Sequence, residues 1–354
     1  MNDQPITPGI NFPALRAQQG SRTMYQIMVP NKVLAATFFN QVAESQDEKS
    51  QRQLVAKHAR EIGEYINDNP DEYVLGSLTY AVDVECPFMP SQIHDKVGVV
   101  LIPLDATLRC LDGQHRRQGL IEALENDPEL EKDSTAVVLY FEPEVTRRRQ
   151  MFSDMNATPK VVAKALNVSF DTRDPFARVA QLIAKEHPLL KGSVETEGPR
   201  ITAGSKNWYT LGAVFDALKR LQVGANGRVR VATQYDEASI KLRGEQFFDL
   251  LKNYREEFRL LQAGESADVM RTRNILLSST TLRALAGAVH IRLTEDGDFA
   301  DIDSYGAALA KIDFAPSAPM WIDCGFVALG KSTPNARNQE VLAATRAIAN
   351  ALKN

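Results

Sequence analysis

The residues best placed to do chemistry are Asp112, Gly113, Gln114, His115, Arg116 and Arg117. Before them runs Ala106-Thr107-Leu108-Arg109-Cys110-Leu111, suited to a strand, and a helical pattern continues over 118–124. A strand that turns through glycine into a helix aims several backbone N–H groups at one point. Their partial positive charge suits an oxyanion or a phosphate. Gly113 can turn the chain and admit a ligand close to the backbone. Arg116 and Arg117 would supply forked donors for phosphate oxygens, with Gln114 on the same turn. Asp112 and His115 add an acid and a titratable base, able to activate water if the site is catalytic. The same residues also read as a turn former or helix cap, Asp112, ahead of two solvated arginines.

This turn must be positioned by the elements around it. Residues 1–21, rich in Pro, Gln and Gly, are expected to be irregular. Alternation predicts a strand over 22–29, and Pro30-Asn31 opens a helix through 39. A longer helix is predicted over 50–67, with Leu54, Ala59, Ile62 and Ile66 as its apolar stripe. Strands are predicted over 73–84 and 98–104, the second joined to the motif strand through Asp105-Ala106 as a hairpin, and over 135–141 as a buried strand. Thr158-Pro159 signals a helix start that continues over 161–166. That places Asn156 in the turn before it, its side chain either facing a ligand at the glycine turn or bonded to its own backbone. From residue 171 the pattern is mainly helical, over 175–186, 209–221, 238–261, 275–293, 302–312 and 335–352. The fold class is α+β, with one domain over 1–170 and a mainly helical one over 171–354.

A chain of 354 residues with 44% hydrophobic content can bury one large core or two smaller ones. Its formal net charge of −4 is not the footprint of a protein that coats nucleic acid, so DNA contact must come from a local basic patch. The dense patches are Arg116-Arg117 and Arg147-Arg148-Arg149, with Lys160 a short way beyond the second. Arginine runs also serve as solvated helix surface. Cys86, Cys110 and Cys324 are widely separated and signal neither a disulfide framework nor a zinc site. The five histidines (His58, His94, His115, His187, His290) form no ligand motif, so no metal site is expected. No stretch approaches the ~20 apolar residues of a spanning helix, and the expectation is a cytoplasmic protein away from the membrane.

The Asp-Gly-Gln-His-Arg string resembles the signature of the DGQHR-domain proteins, whose best known members are the DndB proteins of bacterial DNA phosphorothioate (sulfur) modification systems. Glu61-Ile62-Gly63-Glu64-Tyr65-Ile66, then Tyr73-Val74-Leu75-Gly76-Ser77-Leu78-Thr79, is similar to the helix and strand that precede the motif in that family. Met151-Phe152-Ser153-Asp154-Met155-Asn156 is similar to its short helix ending in asparagine, and Phe12-Pro13-Ala14 through Tyr25-Gln26 and Pro30 has the look of DndB. The likeness covers about the first half of the chain. It implies a ParB/sulfiredoxin-like mixed sheet core. Sulfiredoxins carry Gly-Cys-His-Arg where this chain has Gly113-Gln114-His115-Arg116, so the sulfur nucleophile is replaced by an amide. ParB proteins carry Gly-Glu-Arg-Arg there; Gly113 and Arg116 are retained while Gln114 replaces the acid. What survives both comparisons is phosphate binding.

The resemblance implies a DNA-associated accessory or transcriptional regulatory protein of a modification system. Gly113, Gln114, Arg116, Arg117 and Asn156 would hold phosphate, of DNA or of a nucleotide, and Arg147, Arg148, Arg149 and Lys160 would lie along DNA. Its partners would be DNA and other proteins of the system, with self-association open. The alternative is a nucleotide hydrolase or nuclease that uses Asp112 and His115 with a nucleoside triphosphate and Mg. A second phosphate motif, Gly325-Phe326-Val327-Ala328-Leu329-Gly330-Lys331-Ser332, fits the Walker A pattern literally. A working P-loop needs a helix at once after its lysine and serine. Pro334 and the mere 22 residues beyond Ser332 argue against one here.

Overall fold

The structure, a computed structural model, describes residues 8–37, 48–157, 162–225, 235–297 and 301–353, with the side chains of 48–55 and 156–157 outside that description. The chain divides into two compact units, Met1–Lys160 and Val161–Asn354.

The first unit contains β1 (Gly9–Gln19), β2 (Arg22–Pro30), α1 (Asn31–Thr37), α2 (Glu48–Asp68), β3 (Leu78–Val82), β4 (Phe88–Pro90), β5 (Val97–Pro103), β6 (Leu108–Asp112), α3 (Gln114–Asn126), β7 (Ser134–Phe141) and α4 (Val145–Ala157). The strands form one sheet in the order β4-β5-β1-β2-β7-β3-β6. Neighbours are antiparallel except β3 and β7, which run parallel. Strand alternation sends Phe12, Ala14, Tyr25, Ile27, Val29, Tyr80, Val82, Val100, Ile102, Val137 and Leu139 to one core with Leu34, Ile66, Leu120 and Ala123 of the helices. On the opposite face, Met151 of α4 packs with Ala81 and Leu111. The sheet is therefore mixed and the class α+β, as the sequence predicts.

Two expectations for this unit are corrected. The segment expected to be irregular over 1–21 contains β1, an inner strand that pairs with β5 over Gly9 to Leu15 and with β2 over Ala14 to Gln19. Pro13 is tolerated for a geometric reason. The Arg16 amide donates to Lys96 O at 2.7 Å on the β5 side, so by alternation residue 13 presents its nitrogen to the β2 side, where pairing begins only at Ala14. The hairpin expected across Asp105-Ala106 does not form, because β1, β2, β7 and β3 lie between β5 and β6. The Thr107 amide bonds Asp83 Oδ1 at 2.8 Å and ties the connection to the end of β3 instead.

The second unit holds α5 (Lys164–Phe170), α6 (Pro175–Glu186), β8 (Val194–Glu195), β9 (Tyr209–Thr210), α7 (Leu211–Val223), α8 (Glu237–Tyr254), α9 (Glu256–Gln262), α10 (Ala267–Arg273), α11 (Ser279–Asp296), α12 (Gly306–Ala310), α13 (Pro319–Asp323) and α14 (Asn338–Ala351). Phe176, Val214, Phe247, Leu285, Val289 and Ile348 share its core. The single helix expected over 238–261 is broken at Arg255. That side chain is buried, and its guanidinium donates to Leu309 O and Ile312 O at 2.8 and 2.9 Å while pairing with Glu257. A buried guanidinium needs such acceptors, and reaching them takes precedence over an unbroken helix.

Candidate functional site

Among the described strands β6 is an edge, hydrogen-bonded to β3. The β3–β6 register slips between Thr79, opposite Asp112, and Tyr80, opposite Cys110, leaving Leu111 as the extra residue of a bulge. Bulges bend a strand and re-aim the residues just beyond them. Here those residues are Asp112 and the turn. Gly113 has φ 95 and ψ 17, a left-handed conformation that costs a β-carbon-bearing residue ~1–2 kcal/mol. A β-carbon there would also stand 2.5 Å from Leu78 Cδ2. Gly113 is the N-cap of α3, and no side chain caps the helix, so its first amides are left for an outside acceptor.

The α3 helix is locked against α2 by small residues. A β-carbon on Gly119 would lie 2.6 Å from Ala59 O, and one on Gly63 would lie 3.0 Å from Gly119 O. The groove farther along this pair is lined by Glu64, Glu122 and Glu125 with Arg60. Three carboxylates beside one guanidinium make that groove unfavourable to anions.

The side chains of the turn spread in four directions. Arg116 Nη2 donates to Asp112 Oδ2 at 2.6 Å, an ion pair in which the arginine side chain is 28% exposed and the aspartate 45%. Gln114 Nε2 folds back to Cys110 O at 3.4 Å. His115 meets His58 of α2 edge to face, ring centroids 5.1 Å apart. Burial, and then the charge of His58, hold the His115 imidazole below its ordinary value. Arg117 turns toward the interior, where it interacts with the Tyr80 hydroxyl and the Cys110 thiol. Burial pushes Cys110 up to about 11, so this thiol is protonated and unreactive near neutrality. The structure thus brings Asp112, Gly113 and Arg116 together and sends His115 and Arg117 elsewhere.

Arg147, Arg148 and Arg149 lie on α4, which packs against β6. Arg148 is engaged within the fold: its Nη1 donates to Glu142 O at 2.8 Å and Pro143 O at 2.9 Å, bracing the turn from β7 into α4. Arg147 pairs with Glu144, and Arg149 is exposed. Asn156 lies inside the last turn of α4, at the end of a helix as the likeness over 151–156 implies and not in a turn ahead of the next one; the helix start expected at Thr158-Pro159 lies outside the described residues. Lys160 lies outside the described residues. Among those residues no three His, Cys, Asp or Glu side chains gather as a metal site would need, and no helix is long and apolar enough to cross a membrane.

The Walker-like string does not form a P-loop. Val327 and Pro334 bridge as antiparallel neighbours, Lys331 N bonds Ala328 O, and Asn335 Nδ2 bonds Gly325 O at 2.9 Å. The next helix begins only at Asn338. Phe326 and Val327 are buried in the core, so the loop is a small packed turn.

Sequence reasoning does not single out His58 or Gly76. His58 lies far from the motif in the chain, and nothing in the sequence links it to His115. Gly76 reaches Arg116 from a separate segment, ahead of β3. Gly63 and Gly119 do carry a signal, since an isolated glycine inside a helical pattern usually has a packing reason.

Residues 12–354 match the family model of DndB, described as DNA-sulfur modification-associated. The chain belongs to the DndB family. Its role therefore lies in a DNA sulfur modification system, and the match runs through both units, well past the first half where the motif likeness is plain. The matched residues include the helical unit as well as the glycine turn. No curated protein and no solved structure matches the chain, so the ParB and sulfiredoxin comparison stands on the turn residues alone.

Proposed function

We propose that this DndB-family protein is a DNA-associated accessory or transcriptional regulatory component of its modification system, and that it holds phosphate at the Asp112–Arg116 turn. The observation that carries this is the uncapped start of α3, opened by Gly113 in a left-handed conformation, with the Arg116 guanidinium beside it. Amide dipoles and a forked cation at one point are what a phosphate oxygen requires. Phosphate contacts fix position and do not read bases, so sequence choice would come from other surfaces. With a net charge of −4, affinity for DNA would be modest and sensitive to salt. Fluorescence anisotropy with duplex DNA and with nucleotides tests the reading. Arg116→Ala should weaken binding about tenfold, the scale of one charge-assisted bond, and lower the salt slope by about one. Unchanged affinity and slope would overturn it.

A second reading is favoured by the place of His115 in the first turn of α3, packed against His58, where burial lowers its imidazole from the ordinary value and so favours the form that accepts a proton. In that reading a nucleoside triphosphate with Mg binds at the turn and is hydrolysed, Asp112 or His115 activating water. Phosphate release from ATP, CTP or GTP that His115→Ala abolishes would support it over binding alone.

A further inference from the structure

We infer that Asp112 is the built-in occupant of the anion site: its carboxylate holds the Arg116 guanidinium until a phosphate displaces it. The motif aspartate then restrains anion binding rather than contributing to it. This rests on the phosphate reading of the turn and adds to it a regulated exchange.

Three observations support the exchange. First, the N-cap of α3 is Gly113, which has no side chain to accept from the helix amides. Asp112 has turned instead to Arg116 at 2.6 Å, leaving those amides open while occupying the guanidinium. Second, the pair is half-solvated, 45% exposed on the aspartate side and 28% on the arginine side. Water screens such a contact, so an incoming anion can compete for it, whereas a fully buried pair would be locked. Third, two glycines leave the space that the guanidinium occupies. A β-carbon at Gly76 would stand 2.5 Å from Arg116 Nη1, and one at Gly113 would stand 3.2 Å from Nη2 and 3.3 Å from Nε. The two glycines come from separate segments, so a side chain added at either would displace Arg116. Gly76 is thereby a positioning residue for Arg116.

The exchange itself makes and breaks no covalent bond. A phosphate oxygen replaces Asp112 Oδ2 at Arg116, other phosphate oxygens meet the open amides, and the carboxylate swings to water. A carboxylate left close to the bound phosphate repels it, so the aspartate lowers affinity both by competition and by charge.

Binding of inorganic phosphate and of a duplex DNA to the full chain tests this. Asp112→Asn keeps the side-chain size and removes the charge. It should tighten both ligands roughly three- to tenfold, the range of a partly exposed ion pair plus one repulsion. Asp105→Asn, which neutralises an exposed acid in the connection ahead of β6, should change affinity by less than about twofold. The gain should vanish when Arg116→Ala is combined with Asp112→Asn, because no guanidinium remains to be released. Gly76→Ala, which displaces Arg116, should weaken binding in either background. Asp112→Ser serves the same purpose if the asparagine variant folds poorly. If phosphate and DNA binding depend on Arg116 but Asp112→Asn and Asp112→Ser leave it equal or weaker, the occupant idea is overturned and the phosphate reading stands. If Arg116→Ala has no effect on the wild type, both fall together.

Discussion

Adding one methyl group at Gly119 reports most directly on how the turn is held. The new β-carbon would stand 2.6 Å from Ala59 O and 2.7 and 2.8 Å from Cβ and Cγ2 of Ile62. Comfortable contact needs about 3.5 Å, so α2 and α3 must part by close to 1 Å, and the nearest obstacle is backbone that cannot rotate away. Overpacking of this kind costs ~1–3 kcal/mol. Alanine returns up to ~1 kcal/mol through its better helix propensity. The net expectation for Gly119→Ala is a loss of about 1–2 kcal/mol confined to the α2–α3 pair. Hydrogen exchange read by mass spectrometry should then show α3 amides exchanging roughly 5- to 30-fold faster. Peptides from α11, in the other unit, act as the internal control and should not change. Slower or unaltered exchange in α3 would mean that propensity outweighs the contact and that Gly119 does not lock the helices.

Four other outcomes are expected. Cys86 and Cys110, both pushed up to about 11 by burial, should alkylate at pH 8 on the order of 100-fold more slowly in the folded protein than in urea; a difference below tenfold would contradict their protonated, enclosed state. His115 and His187 are held below the ordinary histidine value chiefly by burial. The unfolded chain takes up protons first, so their contribution is full above about pH 6.5 and is lost as pH falls through the depressed folded values. The urea midpoint should drop between pH 7 and 5, and by less in a His115→Gln/His187→Gln variant; an equal drop in both proteins would disprove the linkage. Arg148→Ala removes two bonds to carbonyls and should destabilise the first unit by ~1–3 kcal/mol while leaving the DNA affinity of the folded protein intact; the reverse pattern would return Arg148 to a binding role. Lys331→Ala should leave nucleotide affinity unchanged, and a loss would restore the P-loop.

The sequence is most informative where side-chain pattern and local turn chemistry agree. β2, β7, α2 and α6 emerge from alternation or helical spacing, and the strand-glycine-helix geometry around Gly113 emerges from six consecutive residues. It is least informative where a distant partner decides. β1 is ordered by strands on either side, which outweigh the Pro and Gly content that favours irregular chain. The helix break at Arg255 depends on carbonyls more than fifty residues away. At the site, residue types are legible but their directions are not. Adjacent positions on a helix point about 100° apart, so Arg116 pairs with Asp112 while Arg117 enters the interior. Only the packing of β3 and α2 around the motif separates those two arginines.

The placement of β1 bears on how this protein can be shortened. Among the described strands, β1 alone joins the β4–β5 pair to the other four. Cutting the chain at residue 20 would therefore remove a seam rather than a tail: Val100 and Ile102 would lose their neighbour on one side, Tyr25 and Ile27 theirs on the other. Two facing rows of unsatisfied amides and carbonyls would be left to find other chains. Fragments meant to retain the glycine turn must therefore begin before Gly9.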